Sequence, residues 1–280
     1  MANSEQTTYW NDQAGPRWVE MQEILDHQLQ PFGAAAAEHA GVRAGDRVID
    51  VGCGCGATTL ELAQRVGANG SVCGVDISEP MLARAAQRSG QAGIEHIRYV
   101  RADAQTHDFS SAAFDVVFSR FGVMFFEDPT AAFANLASAM EDGGRLAFAC
   151  WQSAENNPWM RVPTIAAMEH VQIEVAADPH APGPFAFSDS ERVKGILADA
   201  GLQSIEAHAF EPEITLAGGA DLDQAALFMT QLGPAARPLQ SASDELRATV
   251  VAAVREALQP FTRDGAVVMP SAAWIFTARR

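Results

Sequence analysis

Residues 48–63 read VIDVGCGCGATTLELA. A short apolar run carries an acid near its end, three glycines follow at alternate positions, and an amphipathic stretch begins at once. Arg47 to Val51 has the length and branching of a buried strand. Thr59, Leu62, Ala63 and Val66 recur at i, i+3, i+4 and i+7, the stripe of a helix. In a strand, turn and helix of this order, the turn's amides and the helix N-terminus favour an anionic group. A Cβ would block close backbone approach and forbid positive φ, so such a turn needs glycine. Gly52, Gly54 and Gly56 supply three such positions.

The alternation continues on both sides. Trp18, Met21, Leu25 and Leu29 sit at helical spacing within residues 16–30. Downstream, SVCGVD (Ser71 to Asp76) predicts a second strand, and Ser78 caps a helix whose first turn holds Glu79 and Pro80. Ile97 to Asp103, Phe114 to Ser119 and Arg145 to Trp151 predict three more strands. Asp128 and Pro129 start a helix that turns Phe133, Leu136, Ala137 and Met140 to one side. Strands alternating with helices imply a parallel sheet covered on both faces.

Past Trp151 the pattern loosens. A helix and a Pro/Gly/Phe-rich loop (APGPFAF) are expected over 152–187, and Ser188 with Glu191 makes a capping box for a helix ending at Gly201. QSIEAHAFEPEITL predicts a strand, residues 221–232 and 242–259 two helices, and AVVMPSAAWIFTARR a last strand, antiparallel at or near the sheet edge.

Composition bounds the partners. The chain has 280 residues, 48% of them hydrophobic, with 19 basic against 35 acidic residues and a formal charge of −16; Lys194 is the only lysine. A surface this acidic repels phosphate backbones and anionic lipids, so nucleic acid is a poor partner. No apolar run is long enough to span a membrane, and the N-terminus lacks a basic region followed by an apolar one. The four cysteines suit a reducing, cytoplasmic setting. Cys53, Cys55, Cys73 and Cys150 read as small buried residues, and no metal site is expected.

Taken alone, the glycine turn is ambiguous. Gly52, Gly54 and Ala57, with Asp76 some 20 residues on, also satisfy the dinucleotide fingerprint. Three features separate the readings. Asp50 at the strand end would repel a pyrophosphate but suits a cationic amino-acid tail. Asp103 ends the third strand, where a carboxylate can accept from an adenine amine. Some 45 residues with helical sequence precede the unit, and a lone strand closes the chain.

Across residues 45–151, VIDVGCGCG, VDIS, RADA, FDVVFSRFGVMFFEDP and EDGGRLAF follow in an order that resembles the class I S-adenosylmethionine-dependent methyltransferases. The likeness is to the small-molecule branch similar to ubiquinone/menaquinone C-methyltransferases. It implies an α/β, Rossmann-like, seven-stranded, mostly parallel sheet with one antiparallel strand and helices on both faces. Residues 1–280 would be one domain: an N-terminal helical cap (1–44), a cofactor-binding half (45–151), and a substrate lid and sheet-completing half (152–280). The cofactor implied is S-adenosyl-L-methionine, with S-adenosyl-L-homocysteine as product.

The resemblance also implies roles. Gly52, Gly54 and Gly56 admit the methionyl part, Asp50 holds its ammonium, and Asp76 takes the ribose hydroxyls. Ile77 packs on adenine, Asp103 accepts from its amine, and Ala104 offers backbone. Ser119 and Arg120 border the methionyl end, and Trp10 and Trp18 close over the cofactor. Many relatives carry a histidine shortly after the fourth strand, where this chain has Phe125. That removes the obvious base and leaves Arg120 and His170 as catalytic candidates, although alignment alone suffices for many acceptors. Glu141-Asp142-Gly143-Gly144 lacks the proline that relatives commonly place before the two glycines.

The acceptor is expected to be a small, partly apolar or aromatic molecule, methylated by in-line displacement in a monomer or homodimer. Its pocket candidates are Phe125, Trp151, Trp159, Met160, Arg161, Phe185 and Phe187. Two other classes fit the turn: an NAD(P)-dependent oxidoreductase, which leaves Asp50 and Asp103 unexplained, and a non-catalytic cofactor-binding module.

Overall fold

The computed structural model describes residues 3–109, 113–173 and 178–280. Three helices, α1 (Ser4–Asp12), α2 (Ala14–Glu20) and α3 (Gln22–His39), make the N-terminal cap; the helix expected over 16–30 is broken at Met21. The next stretch alternates β1 (Arg47–Val51), α4 (Ala57–Val66), β2 (Ser71–Asp76), α5 (Glu79–Ala92) and β3 (Ile97–Arg101). It continues with β4 (Phe114–Arg120), α6 (Pro129–Ser138) and β5 (Met140–Trp151). Then come α7 (Pro158–Met168), α8 (Ser190–Asp199), β6 (Gln203–Phe210) and β7 (Glu213–Thr215). The chain closes with α9 (Leu222–Gln231), α10 (Ala236–Gln240), α11 (Asp244–Leu258), β8 (Thr262–Arg263), β9 (Ala266–Pro270) and β10 (Ala273–Arg279).

Seven strands form one sheet in the order β3-β2-β1-β4-β5-β10-β6. β1 is central: Val48, Ile49 and Asp50 pair in parallel with both β2 and β4. β10 runs antiparallel to β5 and to β6. The closing strand therefore lies near the sheet edge, as expected, and β6, with its half-exposed pattern, takes the edge itself. The Glu141–Gly144 segment loops out where the β4–β5 register shifts, with Gly143 at φ 77°, so the turn forms without the proline.

Two predicted single strands are each two. Proline supplies no amide to a ladder. QSIEAHAFEPEITL breaks around Pro212, and AVVMPSAAWIFTARR breaks after Pro270. The freed pieces pair as a second sheet, β7-β9-β8. A further correction concerns α8. Asp189, not Ser188, caps it, accepting from the Glu191 and Arg192 amides, while the Ser188 carbonyl accepts from Trp274 Nε1. Likewise Ser78 does not cap α5 with its side chain; its hydroxyl donates to the Trp10 carbonyl.

The core is aromatic: Phe133, Phe148, Phe187 and Phe276 are all but fully buried and their rings contact in sequence. Phe187 is thus a core residue and not part of a lid. The second half is joined to the sheet through Asn157, which has no exposed surface. Its Nδ2 donates to the carbonyls of Gln152, Ser153 and Ala272, and its Oδ1 accepts from the Ala272 amide and Trp159 Nε1. Among the described residues no helix is long and apolar enough to cross a membrane.

Truncating Asn157 strands buried donors and acceptors, each costing roughly 1–3 kcal/mol when left without a partner. Asn157→Ala is expected to lower unfolding stability by about 3 kcal/mol, checked by urea denaturation. A loss under about 1 kcal/mol would show that this joint contributes little.

Candidate functional site

The glycine turn lies where the sequence puts it, between β1 and α4. Gly52, Gly54 and Gly56 all have positive φ. Gly52 matters most: a Cβ there would lie 2.6 Å from Gly122 Cα, because the turn passes directly against the backbone beyond β4. Ser119 ties the two together, donating from Oγ to the Val51 carbonyl and accepting from the Gly122 amide. The predicted methionyl-border residue is therefore also a staple between β1 and β4.

Beneath the turn, Asp50 is completely buried. Oδ2 accepts from the hydroxyls of Thr58 and Thr59, at 2.8 and 2.6 Å, while Oδ1 has no hydrogen-bond partner. Burial pushes this carboxyl up to about 6, against the pull of both threonine hydroxyls and of Arg120. Asp76, at the end of β2, accepts from the Gly54 amide through Oδ2 and from the Ser78 amide through Oδ1. Burial raises its carboxyl and those amides hold it down. Each oxygen retains a lone pair.

Asp103 lies two residues beyond β3 and accepts from the Gln105 amide. Both of its oxygens also accept from Asn3 Nδ2, at 3.2 and 3.3 Å. Ala104 is buried and its carbonyl accepts from Asn135. The helix α1 spans this end of the sheet. Asn3 exchanges two hydrogen bonds with Glu127, and Asn11 bridges the Ile77 carbonyl and the Glu79 amide. Trp10 meets Trp18 and Phe125 edge to face, at 5.8 and 5.3 Å between centroids. The structure thus brings Trp10, Trp18 and Phe125 together at the cap, and ties α1 to Ile77 and Asp103.

Arg120 ends β4 and is almost covered by α3; its stem runs beside Gly33, where a Cβ would lie 3.3 Å from Cδ. Its guanidinium is 4.0 Å from Asp26, which also pairs with Arg88 at 2.8 Å. Burial lowers the Arg120 pKa, opposed by Asp26 and Asp50.

A second aromatic group stands at the end of β5. Trp151 stacks on Phe121 at 4.0 Å and meets Phe32 and Trp159 at 4.9 and 5.3 Å. Met160 and Phe185 are half-buried against the core. Arg161 and His170 are exposed, and Phe187 packs elsewhere, in the Phe133–Phe148 core. The four cysteines are buried free thiols; among the described residues no cluster of histidine, cysteine or acid groups could hold a metal.

Sequence reasoning missed Asn3, Asn11, Thr58, Thr59, Asp26 and Phe121. The threonines carried a signal, two hydroxyls in the first turn of a helix that follows a strand-end acid. Asn3 carried none, since its contacts span 100 residues or more.

The strand order and the glycine turn define a class, the Rossmann-like fold of the class I S-adenosylmethionine-dependent methyltransferases. Residues 48–144 match the family described as a methyltransferase domain. The chain is 35% identical over 118 residues to aklanonic acid methyltransferase DauC from Streptomyces sp. (strain C5), covering 42% of this chain and 54% of that protein. It is 35% identical over 108 residues to the ubiquinone/menaquinone C-methyltransferase UbiE of Idiomarina loihiensis, covering 38% and 43%. The crystal structure of YcgJ from Bacillus subtilis superposes with a TM-score of 0.60 at 17% identity, over 90% of this chain and 98% of that one, which speaks to the fold alone. The chain spans about half the length of the curated relatives it matches.

Asp50 makes stability depend on pH. Below the ordinary carboxylate value of 3.8 folded and unfolded chains both carry the proton. As pH rises through about 6 the folded chain must ionise a buried group, so the stability this residue allows at low pH is lost, by roughly 3 kcal/mol between pH 4 and 7. Asp50→Asn is expected to lose that share of the slope, measured as the difference between variant and wild-type unfolding free energies across this range. Parallel curves would mean Asp50 titrates normally.

Proposed function

We propose that this protein transfers a methyl group from S-adenosyl-L-methionine to a small, partly apolar or aromatic acceptor. The observation that carries this reading is a row of carboxylates, Asp50, Asp76 and Asp103, at the carboxyl ends of three neighbouring strands. Adjacent strands lie about 4.8 Å apart, so the row offers only acceptors and negative charge over a cofactor's length. A pyrophosphate is repelled there. A molecule presenting an ammonium, two ribose hydroxyls and an adenine amine gives each acid a donor. The orphaned Oδ1 of Asp50 is an acceptor that a cationic tail satisfies.

When bound, the cofactor supplies an electrophilic methyl on a sulfonium. The chain's part is to bind, orient and exclude water. Asp50 holds the methionyl end beside the turn of Gly52, Gly54 and Gly56, whose amides are engaged by Val75, Asp76 and Cys53, with Ser119 and Arg120 as its border. Asp76 takes the ribose, and Ile77, Asp103 and Ala104 the adenine. Trp10, Trp18 and Phe125 cover it from the cap. Trp151, Trp159 and Met160 face the acceptor. No side chain is assigned as base; alignment supplies roughly 7–11 kcal/mol in favourable cases. The four free buried thiols support a reducing, cytoplasmic setting.

Calorimetry tests the proposal. S-adenosylhomocysteine is expected to bind in the micromolar range and NAD not at all; the reverse would return the oxidoreductase reading. Asp76→Asn keeps an acceptor but removes the charge, and is expected to weaken binding roughly tenfold to a hundredfold. Because Asp76 also holds the Gly54 amide, its Tm is measured alongside.

Binding is also expected to strengthen as pH rises from 5 to 7. The ammonium favours ionised Asp50, whose carboxyl otherwise titrates near 6, so protons are released on binding in this range. Proton release read from buffers of different ionisation enthalpy checks it, and a pH-independent affinity would remove Asp50 from the ammonium site.

A further inference from the structure

Among the described residues two buried side-chain atoms have no hydrogen-bond partner, Asp50 Oδ1 and Gln28 Oε1. The cofactor reading accounts for the first. Gln28 belongs to no part of it. It lies in the middle of α3 and is 3% exposed, with Leu25, Leu29 and Phe32 buried around it on the same helix. A leucine would suit those neighbours, and a buried amide oxygen without a donor is costly.

The direction of Gln28 follows from its helical neighbours. Ile24, one turn earlier, reaches the turn at Leu216–Gly219, where its Cγ1 would lie 3.8 Å from a Cβ on Gly218. Phe32, one turn later, places its ring against Phe121, Trp151 and Phe210. Residues at i and i+4 share a helix face. Gln28 therefore leaves α3 between the 216–219 turn and the ring group at the end of β5. In open α/β sheets ligands bind beyond the carboxyl ends of the strands, and that ring group stands at one.

We propose that the Gln28 amide selects the methyl acceptor, taking a hydrogen bond from a hydroxyl on a flat aromatic ring that lies against Trp151. This rests on the methyl-transfer reading for its purpose and on the orphaned atom for its evidence. The chemical class follows from the surroundings. Trp151, Phe121 and Trp159 pack face and edge on one another there and are largely buried, so an aromatic ring is the group that their surroundings match. Arg120, the cation at the neighbouring strand end, is shared with Asp26, which favours a neutral acceptor over an anionic one. An amide oxygen accepts, so the acceptor must donate.

The test compares naphthol with naphthalene, two flat probes that differ by one hydroxyl, through quenching of tryptophan fluorescence with and without S-adenosylhomocysteine. Wild-type protein is expected to bind naphthol about tenfold more tightly, the worth of one ordinary hydrogen bond. Gln28→Leu is expected to keep its Tm, its affinity for naphthalene and its affinity for S-adenosylhomocysteine, while the naphthol preference falls to about one. A preference unchanged in the variant, or absent from the wild type, overturns the assignment. Should Gln28→Leu not fold, Gln28→Met reports the same ratio. A wild-type protein that binds no S-adenosylhomocysteine defeats the methyl-transfer reading alone; the naphthol ratio measured without it still decides Gln28.

Discussion

A carboxylate with no exposed surface sits under the glycine turn, and two threonine hydroxyls keep it there. Burying a charge is expensive unless it is neutralised or fully hydrogen-bonded. Asp50 is half provided for: one oxygen takes both hydroxyls and the other takes none. The rest of the site is arranged around that imbalance. Thr58 and Thr59 fix the first turn of α4 against β1, and the turn between them closes only with glycine at Gly52, where the Gly122 backbone leaves no room for a Cβ. Asp76 completes the frame by holding the Gly54 amide from the neighbouring strand. The same carboxylates that shape the turn are the ones proposed for the cofactor, so in that reading structure and binding share their atoms.

The N-terminal cap is part of this arrangement. Asp26 on α3 faces two arginines, Arg88 on α5 and Arg120 on β4, and links the cap to both. A partly buried group of this kind is a weak source of stability but disfavours rearrangements that would leave one charge alone. At the far end Asn3 brings its amide to Asp103, the oxygens proposed for an adenine amine. The adenine amine proposed for that carboxylate would share it with Asn3.

The second half is anchored by neutral hydrogen bonds and rings. Asn157 joins the start of α7 to the β9–β10 connection, and Trp159 is held by the same amide. That fixes the mostly apolar ring group around Trp151 on the sheet, in a chain that is strongly acidic overall. The contrast suits a small neutral molecule over a polyanion.

Much of the fold was legible in the sequence because its signals are local. The alternation of apolar runs and helical stripes located β1 to β5, and three glycines after a strand-end acid identified the turn. The strand-end positions of Asp50, Asp76 and Asp103 were legible for the same reason: each stands at the end of its strand or just beyond it, a place that sequence marks. Proline's missing amide was in the sequence too, yet only pairing showed that Pro212 and Pro270 divide two strands and create a second sheet. The fate of Phe187 was beyond reach, since an aromatic near a Pro/Gly-rich loop reads equally as lid or core until Phe133 and Phe148 are seen to enclose it. Asn3 against Asp103 and Asp26 between two arginines are contacts between residues far apart in the chain. No periodicity encodes them; they exist because packing three cap helices over the sheet brings those side chains together, and only the tertiary structure decides which polar groups are satisfied and which are left for a ligand.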